Sequence, residues 1–118
     1  MISREFNINL DIIKINKYIK TIQVYQNDVY QCIFNIKVFR DTKELNLANK
    51  DAIIHILTSN QDLLRYENYV VENNILKVRL VNINTIGKHT IHIVLTKDNK
   101  RLTLPLINFE VLSNEEVL

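Results

Sequence analysis

The sequence has very few of the residues that interrupt regular backbone structure. Its 118 residues include one glycine, Gly87, and one proline, Pro105. A single glycine excludes the dinucleotide-binding fingerprint and the phosphate-binding P-loop, because both need several glycines where the backbone approaches a phosphate. It also argues against a solenoid or a propeller, and the sequence shows no self-similar period.

Cysteine and long apolar runs are equally scarce. Cys32 is the only cysteine, so the chain cannot form an intrachain disulfide, and its place in the run CIFNIKVF predicts a small buried core residue. No window approaches the roughly 20 apolar residues that cross a bilayer, and MISREFNINL lacks the continuous apolar core of a signal peptide. We therefore expect no membrane insertion, and a soluble protein made in a reducing cytoplasm.

Positive and negative side chains are present in nearly equal numbers. Fifteen basic and thirteen acidic side chains give a formal net charge of +2. The densest basic groups, in residues 14–20 and 97–101, are short and mixed with apolar or acidic residues. A nucleic-acid surface would gather basic residues and exposed aromatic rings on one face. We expect solvated faces and turns at these positions, and no nucleic-acid partner.

Alternation of apolar and polar residues predicts β-strands along most of the chain, because successive side chains of a strand point to opposite faces. In the first alternating segment, FNINLDI, four apolar residues share one face: Phe6, Ile8, Leu10 and Ile12. The same alternation recurs in TIQVYQ, in residues 30–39, in AIIHILT and in ILKVRL.

Residues 59–74 allow two interpretations. Ser59 and Asp62 could cap a short helix, and the apolar residues that follow have near-helical spacing. Asn73 and Asn74, however, favour a tight turn that leads directly into ILKVRL. We prefer two strands joined at this turn, with the short helix as the alternative.

The segment GKHTIHIVLTKDNKRLTLP is predicted to form the closing hairpin of the domain. Gly87 lets the chain turn into the first strand, and Asp98 and Asn99 tolerate the positive φ angles of a tight turn. Within the return strand LTLPLINFEV, the apolar residues switch from one parity to the other beside Pro105. One inserted residue causes such a switch, so we predict a β-bulge at this proline.

These segments together predict an all-β fold. Seven or eight short strands, turns about every ten residues and no long helix are typical of an immunoglobulin-like or Greek-key β-sandwich, and a closed barrel is the alternative. Residues 1–112 are expected to form a single β-sandwich domain. Residues 113–118, the acidic SNEEVL, are expected to be a short tail or the start of a linker.

Residues that carry catalysis or bind metal are sparse and scattered. His89 and His92 are three positions apart along a strand and should point to opposite faces, and His55 lies in the apolar run AIIHILT. None of the serines lies in a sequence motif typical of a catalytic nucleophile, and the carboxylates lack the spacing of a Ca²⁺-binding loop. We predict structural roles for the three histidines, and no enzymatic activity, catalytic residue, cofactor or metal. An enzyme would need an acid–base cluster on adjacent loops.

Four tyrosines are the candidate binding residues. Tyr66 and Tyr69 lie in RYENY, and Tyr25 and Tyr30 lie on either side of QND, so we expect exposed rings beside amides and charges at loop ends. Such rings can stack on a sugar or anchor a protein partner. We predict that the four residues bind a partner. The alternative is that their rings cover the open ends of the sandwich.

The layout of the strands and a few short motifs suggest a family. A polar xND precedes a long strand, a loop with two leucines leads into the next strand, and the last hairpin opens with Gly-Lys and ends in F-x-V. In these respects the chain resembles the amino-terminal domain of the baseplate upper protein family of phages that infect Gram-positive bacteria. Residues Asn60 to Asp62 and Asn73-Asn74 stand where the family pattern has turn glycines, and asparagine adopts the same turn conformations. The residues that carry the resemblance are Asn27, Asp28, Leu45, Leu47, Gly87, Lys88, Phe109 and Val111.

The resemblance implies a structural adaptor of a phage tail baseplate. Such a domain docks to the tail hub and supports receptor-binding or fibre proteins, so the expected location is the virion tail after assembly in the host cytoplasm. Its expected partners are other baseplate or tail proteins, with self-association in a symmetric assembly. The alternative function is a carbohydrate-binding sandwich that recognises a host cell-wall glycan through its loop tyrosines.

Overall fold

β-Strands make up most of the residues that the structure describes. The structure is a computed structural model, and it describes residues 4–13, 21–26, 32–80 and 85–113. Within that part of the chain, no helix is long and apolar enough to cross a bilayer. The strands in chain order are β1 (Arg4–Asp11), β2 (Ile22–Tyr25), β3 (Cys32–Arg40), β4 (Lys43–Glu44), β5 (Asp51–Leu57), β6 (Leu63–Tyr66), β7 (Tyr69–Glu72), β8 (Ile75–Arg79), β9 (Gly87–Lys97), β10 (Lys100–Thr103) and β11 (Ile107–Leu112).

The strands form two mixed sheets. Sheet A has the order β1-β3-β8-β7, with β4 paired to β3, and sheet B has the order β2-β11-β9-β5-β6, with β10 paired to β9. Each sheet contains one parallel pair, β1 with β3 and β2 with β11. The other pairs are antiparallel.

The core lies between the inner faces of the two sheets. The alternation read from the sequence matches the burial along β3, where Cys32 and Phe34 are fully buried. The Phe34 ring meets the Phe109 ring of sheet B edge-on, with 5.8 Å between the ring centroids, a geometry favoured by the aromatic quadrupole. The predicted all-β sandwich and the burial of Cys32 are both confirmed.

The described residues contain more strands than the seven or eight expected from the sequence. The predicted strands merge β6 with β7 and β10 with β11, and β4 is not predicted. β4 and β6 are only two and four residues long, and so short a segment carries little alternation.

Asparagine and aspartate form two of the tight turns, as predicted. Asn73 and Asn74 have φ angles of 53° and 62°, and Asp98 and Asn99 have 50° and 65°. The first pair joins β7 to β8 and the second joins β9 to β10. The short-helix alternative for residues 59–74 is therefore wrong, because this segment contains β6 and β7 instead.

The predicted bulge lies beside Pro105. Thr103 is the last residue of β10 paired with β9, opposite Val94, and Ile107 is the first of β11, opposite Ile91. Three residues, 104–106, therefore face two residues of β9. Because of the inserted residue, the buried side chains change from even-numbered positions, which end at Leu104, to odd-numbered positions, which begin at Ile107. Leu106 is exposed as a result.

Candidate functional site

The strands β6 and β7 form one exposed edge of the sandwich. Among the described strands, β6 pairs only with β5 of sheet B and β7 pairs only with β8 of sheet A. Glu67 and Asn68 connect the two strands, so the chain passes here from one sheet to the other. We call residues 63–72 the β6–β7 edge.

This edge carries several exposed apolar side chains. Leu63 is 65% exposed, Leu64 39% and Val70 49%. Leu57, which is also exposed, lies opposite Leu63 on β5. Edge strands also present backbone groups without a strand partner, and a strand of another protein can bind to such groups. Exposed leucines beside an open strand fit a protein-docking surface.

Tyr66 belongs to the core, so the expectation that its ring is exposed is wrong. It is 8% exposed, and its hydroxyl donates to the backbone oxygen of Arg79. On β6 its side chain has the inward parity, opposite Ile54 of β5. This hydrogen bond therefore connects β6, at the edge of sheet B, to the end of β8 in sheet A.

Tyr69 makes a second connection between the two sheets, and its side chain is half-buried. Its hydroxyl accepts a hydrogen bond from the backbone N–H of Ala52 at 3.2 Å, so β7 of sheet A is held to β5 of sheet B. The ring also borders two open depressions. One, of about 360 Å³, is lined with Arg65 and Glu67, and the other, of about 460 Å³, includes Val70.

The four predicted tyrosines do not form one cluster. Tyr25 ends β2, which is the other edge of sheet B. Four strand spacings separate β2 from β6, or about 19 Å. Tyr30 lies outside the described residues. The structure therefore brings Tyr66 and Tyr69 to the same edge. Partner binding by the four tyrosines stays a prediction.

Charges at the β6–β7 edge are balanced. Arg65 Nε lies 3.5 Å from Glu67 Oε1, with both side chains exposed, and such exposed pairs contribute only about 0–1 kcal/mol. The larger depression has both Glu72 and Lys77 in its lining. Mixed charge beside leucines fits a protein partner better than a polyanion.

The outer face of sheet A is rich in amides. Asn35 Nδ2 donates to Glu5 Oε1 and to Asn7 Oδ1, both at 3.2 Å. The buried Asn35 Oδ1 has no hydrogen-bond partner among the described residues. A depression of about 400 Å³ lies here, and its lining includes Asn9 and Lys37 but no aromatic ring. This depression therefore lacks the stacking surface that sugar rings prefer.

His89 has the structural role predicted from the sequence. Its ring is buried and stacks on Phe109, with 4.9 Å between the ring centroids. Nδ1 accepts from the Ser59 N–H at 3.2 Å, and Nε2 is 2.6 Å from the Thr85 carbonyl oxygen. Since a carbonyl only accepts, the proton lies on Nε2. The neutral ring thus connects the turn after β5 to the start of β9.

His55 and His92 lie opposite each other on β5 and β9, on the outer face of sheet B. His89 and His92 point to opposite faces, as predicted. The pairing of His55 with His92 could not be predicted from the sequence, because cross-strand register is not visible in a single segment. Within the described part of the chain, no group of three or more histidine, cysteine or acidic residues could hold a metal.

The structure is that of an all-β sandwich domain with an exposed apolar edge. A solved structure with a similar fold is the N-terminal domain of phage TP901-1 ORF48, with a TM-score of 0.66. The match covers 92% of this chain and 98% of that chain at 11% sequence identity, so it shows a shared fold. No protein-family model matches the sequence, and no curated protein matches it.

Proposed function

We propose that this chain is a structural domain of a phage tail baseplate. The observation that carries the proposal is the nearly complete overlap, 92% and 98%, with the N-terminal domain of a phage protein. The sequence separately resembles amino-terminal domains of baseplate upper proteins. In the proposed role the chain is not an enzyme. It docks to the tail hub, associates with further copies of itself, and supports receptor-binding or fibre proteins in the virion tail.

The β6–β7 edge is the proposed docking surface for the tail partner. Leu63 and Leu64 are exposed and apolar, and β6 is the last strand of sheet B among the described residues. Main-chain hydrogen bonds would supply affinity, and the two leucines would supply side-chain contacts. The hydroxyls of Tyr66 and Tyr69 hold this edge in place.

Co-sedimentation of the purified chain with phage tail particles tests the role, and cross-linking with mass spectrometry identifies the neighbour. The double variant Leu63→Lys, Leu64→Lys should weaken docking at least tenfold. The matched control is Ile13→Lys, Leu106→Lys, since these two side chains are exposed to a similar extent elsewhere. Equal loss in both variants would reject the edge as the docking surface. No association of the native chain with any tail protein would reject the baseplate role.

A carbohydrate-binding module is the second candidate. Tyr69 favours it, because the ring borders a depression of about 360 Å³ beside Arg65 and Glu67. Purified cell-wall polysaccharides on an array provide the test, with Tyr69→Ala as the variant. Binding that Tyr69→Ala abolishes would support this candidate. Absence of binding, together with sedimentation on tail particles, would reject it.

A further inference from the structure

A basic pocket lies at the tip of the β9–β10 hairpin. It has a volume of about 350 Å³, and buried Leu95 forms part of its lining. Asp98 is the one carboxylate in this lining. The pocket is bordered by four cationic side chains: Lys50, Lys97, Lys100 and Arg101.

These positive charges are not neutralised within the described part of the chain. None of the four cations forms an ion pair with a described carboxylate. Lys50 Nζ donates to the backbone oxygen of Asn46 at 2.5 Å, and a neutral carbonyl leaves the ammonium charge uncompensated. Four cations against one carboxylate favour an anion at this pocket, because lysine and arginine bind carboxylates through charge-assisted hydrogen bonds.

The chain carries a complementary segment. Glu115 and Glu116 follow closely after Ser113, and residues 112–118 contain no basic residue. We call residues 114–118 the acidic segment. The strand that leads to it, β11, pairs Val111 with Gly87 at the first residue of β9. The basic pocket lies at the other end of β9, beside Lys97.

The acidic segment cannot reach the pocket of its own chain. From Gly87 to Lys97, β9 is about 33 Å long at about 3.3 Å per residue. Glu116 is three residues beyond Ser113, and three extended residues span about 11 Å. The segment and the pocket could therefore meet only between two copies.

We propose that the basic pocket of one copy binds the acidic segment of a second copy. The pocket and the end of β11 lie at opposite ends of β9, so the contact is heterologous: each pair leaves one pocket and one acidic segment free. Such contacts close into a ring or continue as a filament, depending on the rotation between copies. The proposal concerns how copies of this chain meet, and it does not depend on the baseplate role.

Sedimentation velocity over a range of protein concentrations tests the contact. The native chain should associate at 0.1 M NaCl and should do so at least tenfold more weakly at 1 M, because the Debye length falls from about 10 Å to about 3 Å. Two charge-reversed variants, Lys100→Glu with Arg101→Glu and Glu115→Lys with Glu116→Lys, should each be monomeric. An equimolar mixture of the two should associate again, because each reversed group then meets its complement.

The matched control is Arg40→Glu with Lys43→Glu, an equal change of charge on two exposed residues of the β3–β4 hairpin. It should associate like the native chain, and circular dichroism should show that every variant is folded. A native chain that is monomeric at all concentrations, a pocket variant that associates normally, or a mixture that stays monomeric would each overturn the proposal. Because docking to tail particles is measured separately, this failure is distinguishable from failure of the baseplate role.

Discussion

Gly87→Ala should destabilise the domain more than a glycine-to-alanine substitution usually does. Gly87 has a φ angle of 120°, a conformation that side-chain-bearing residues rarely adopt. Holding another residue there costs about 1–3 kcal/mol. An added Cβ would also lie 2.7 Å from Ser59 Cβ and 3.0 Å from Ser59 Oγ, well inside the normal contact distance of about 3.5–4.0 Å. Overpacking of this kind costs about 1–3 kcal/mol more.

The two contributions can be separated at Ser59. Ser59→Gly removes the Cβ that the new methyl group meets, whereas Ser59→Ala keeps it and removes only Oγ. Both lose the hydrogen bond from Ser59 Oγ to the Ile86 carbonyl, 2.8 Å long, so the pair is matched. In a double-mutant cycle, Ser59→Gly should recover about 1–2 kcal/mol of the loss caused by Gly87→Ala, and Ser59→Ala should recover much less.

Urea denaturation of the single and double variants measures these free energies of unfolding. We expect a loss of about 3 kcal/mol for Gly87→Ala, which corresponds to a fall in Tm of about 12 °C for a domain of this size. A loss below about 0.5 kcal/mol would refute the argument from backbone strain. Equal recovery by Ser59→Gly and Ser59→Ala would refute the steric argument, because only one of them removes the contacting carbon.

Three further outcomes can be measured on the same protein. Tyr66→Phe should lower the free energy of unfolding by about 1–2 kcal/mol, because the partly buried carbonyl of Arg79 loses its donor; an unchanged urea midpoint would contradict this. Cys32 should not react with a thiol reagent in the native state, since it is fully buried, and rapid labelling without denaturant would show the burial to be wrong. Deletion of Pro105 should leave the domain folded, because two residues would then lie opposite two of β9 and the apolar residues of β11 would keep facing inward; an unfolded deletion variant would contradict the bulge argument. Pro105→Ala should cost less than about 1 kcal/mol.

Much of the fold could be predicted because its signals are local. The burial of Phe34 and its neighbours follows from alternation within β3, and the turn at Asn73 and Asn74 follows from the φ angles that asparagine tolerates. The bulge at Pro105 was predictable for the same reason, since a change of parity is visible within one segment.

The candidate site was less predictable, and Tyr66 shows why. Its neighbours in sequence are polar, which indicates an exposed ring, yet the inward parity of β6 and the proximity of β8 bury it and supply an acceptor for its hydroxyl. Tyr69 lies three residues later in the same polar context and stays half-buried. The difference depends on which strands lie beside each ring.

The amino-acid sequence by itself determined the longer strands, two of the tight turns and the apolar faces of this domain, because alternation and turn preference depend on neighbouring residues. Only the tertiary structure decided which edge stays open, that His55 lies opposite His92, and that Lys50 joins the basic hairpin tip. Strand order and register depend on packing between residues far apart in the chain. That packing is a property of the assembled sheets, and no single segment contains it.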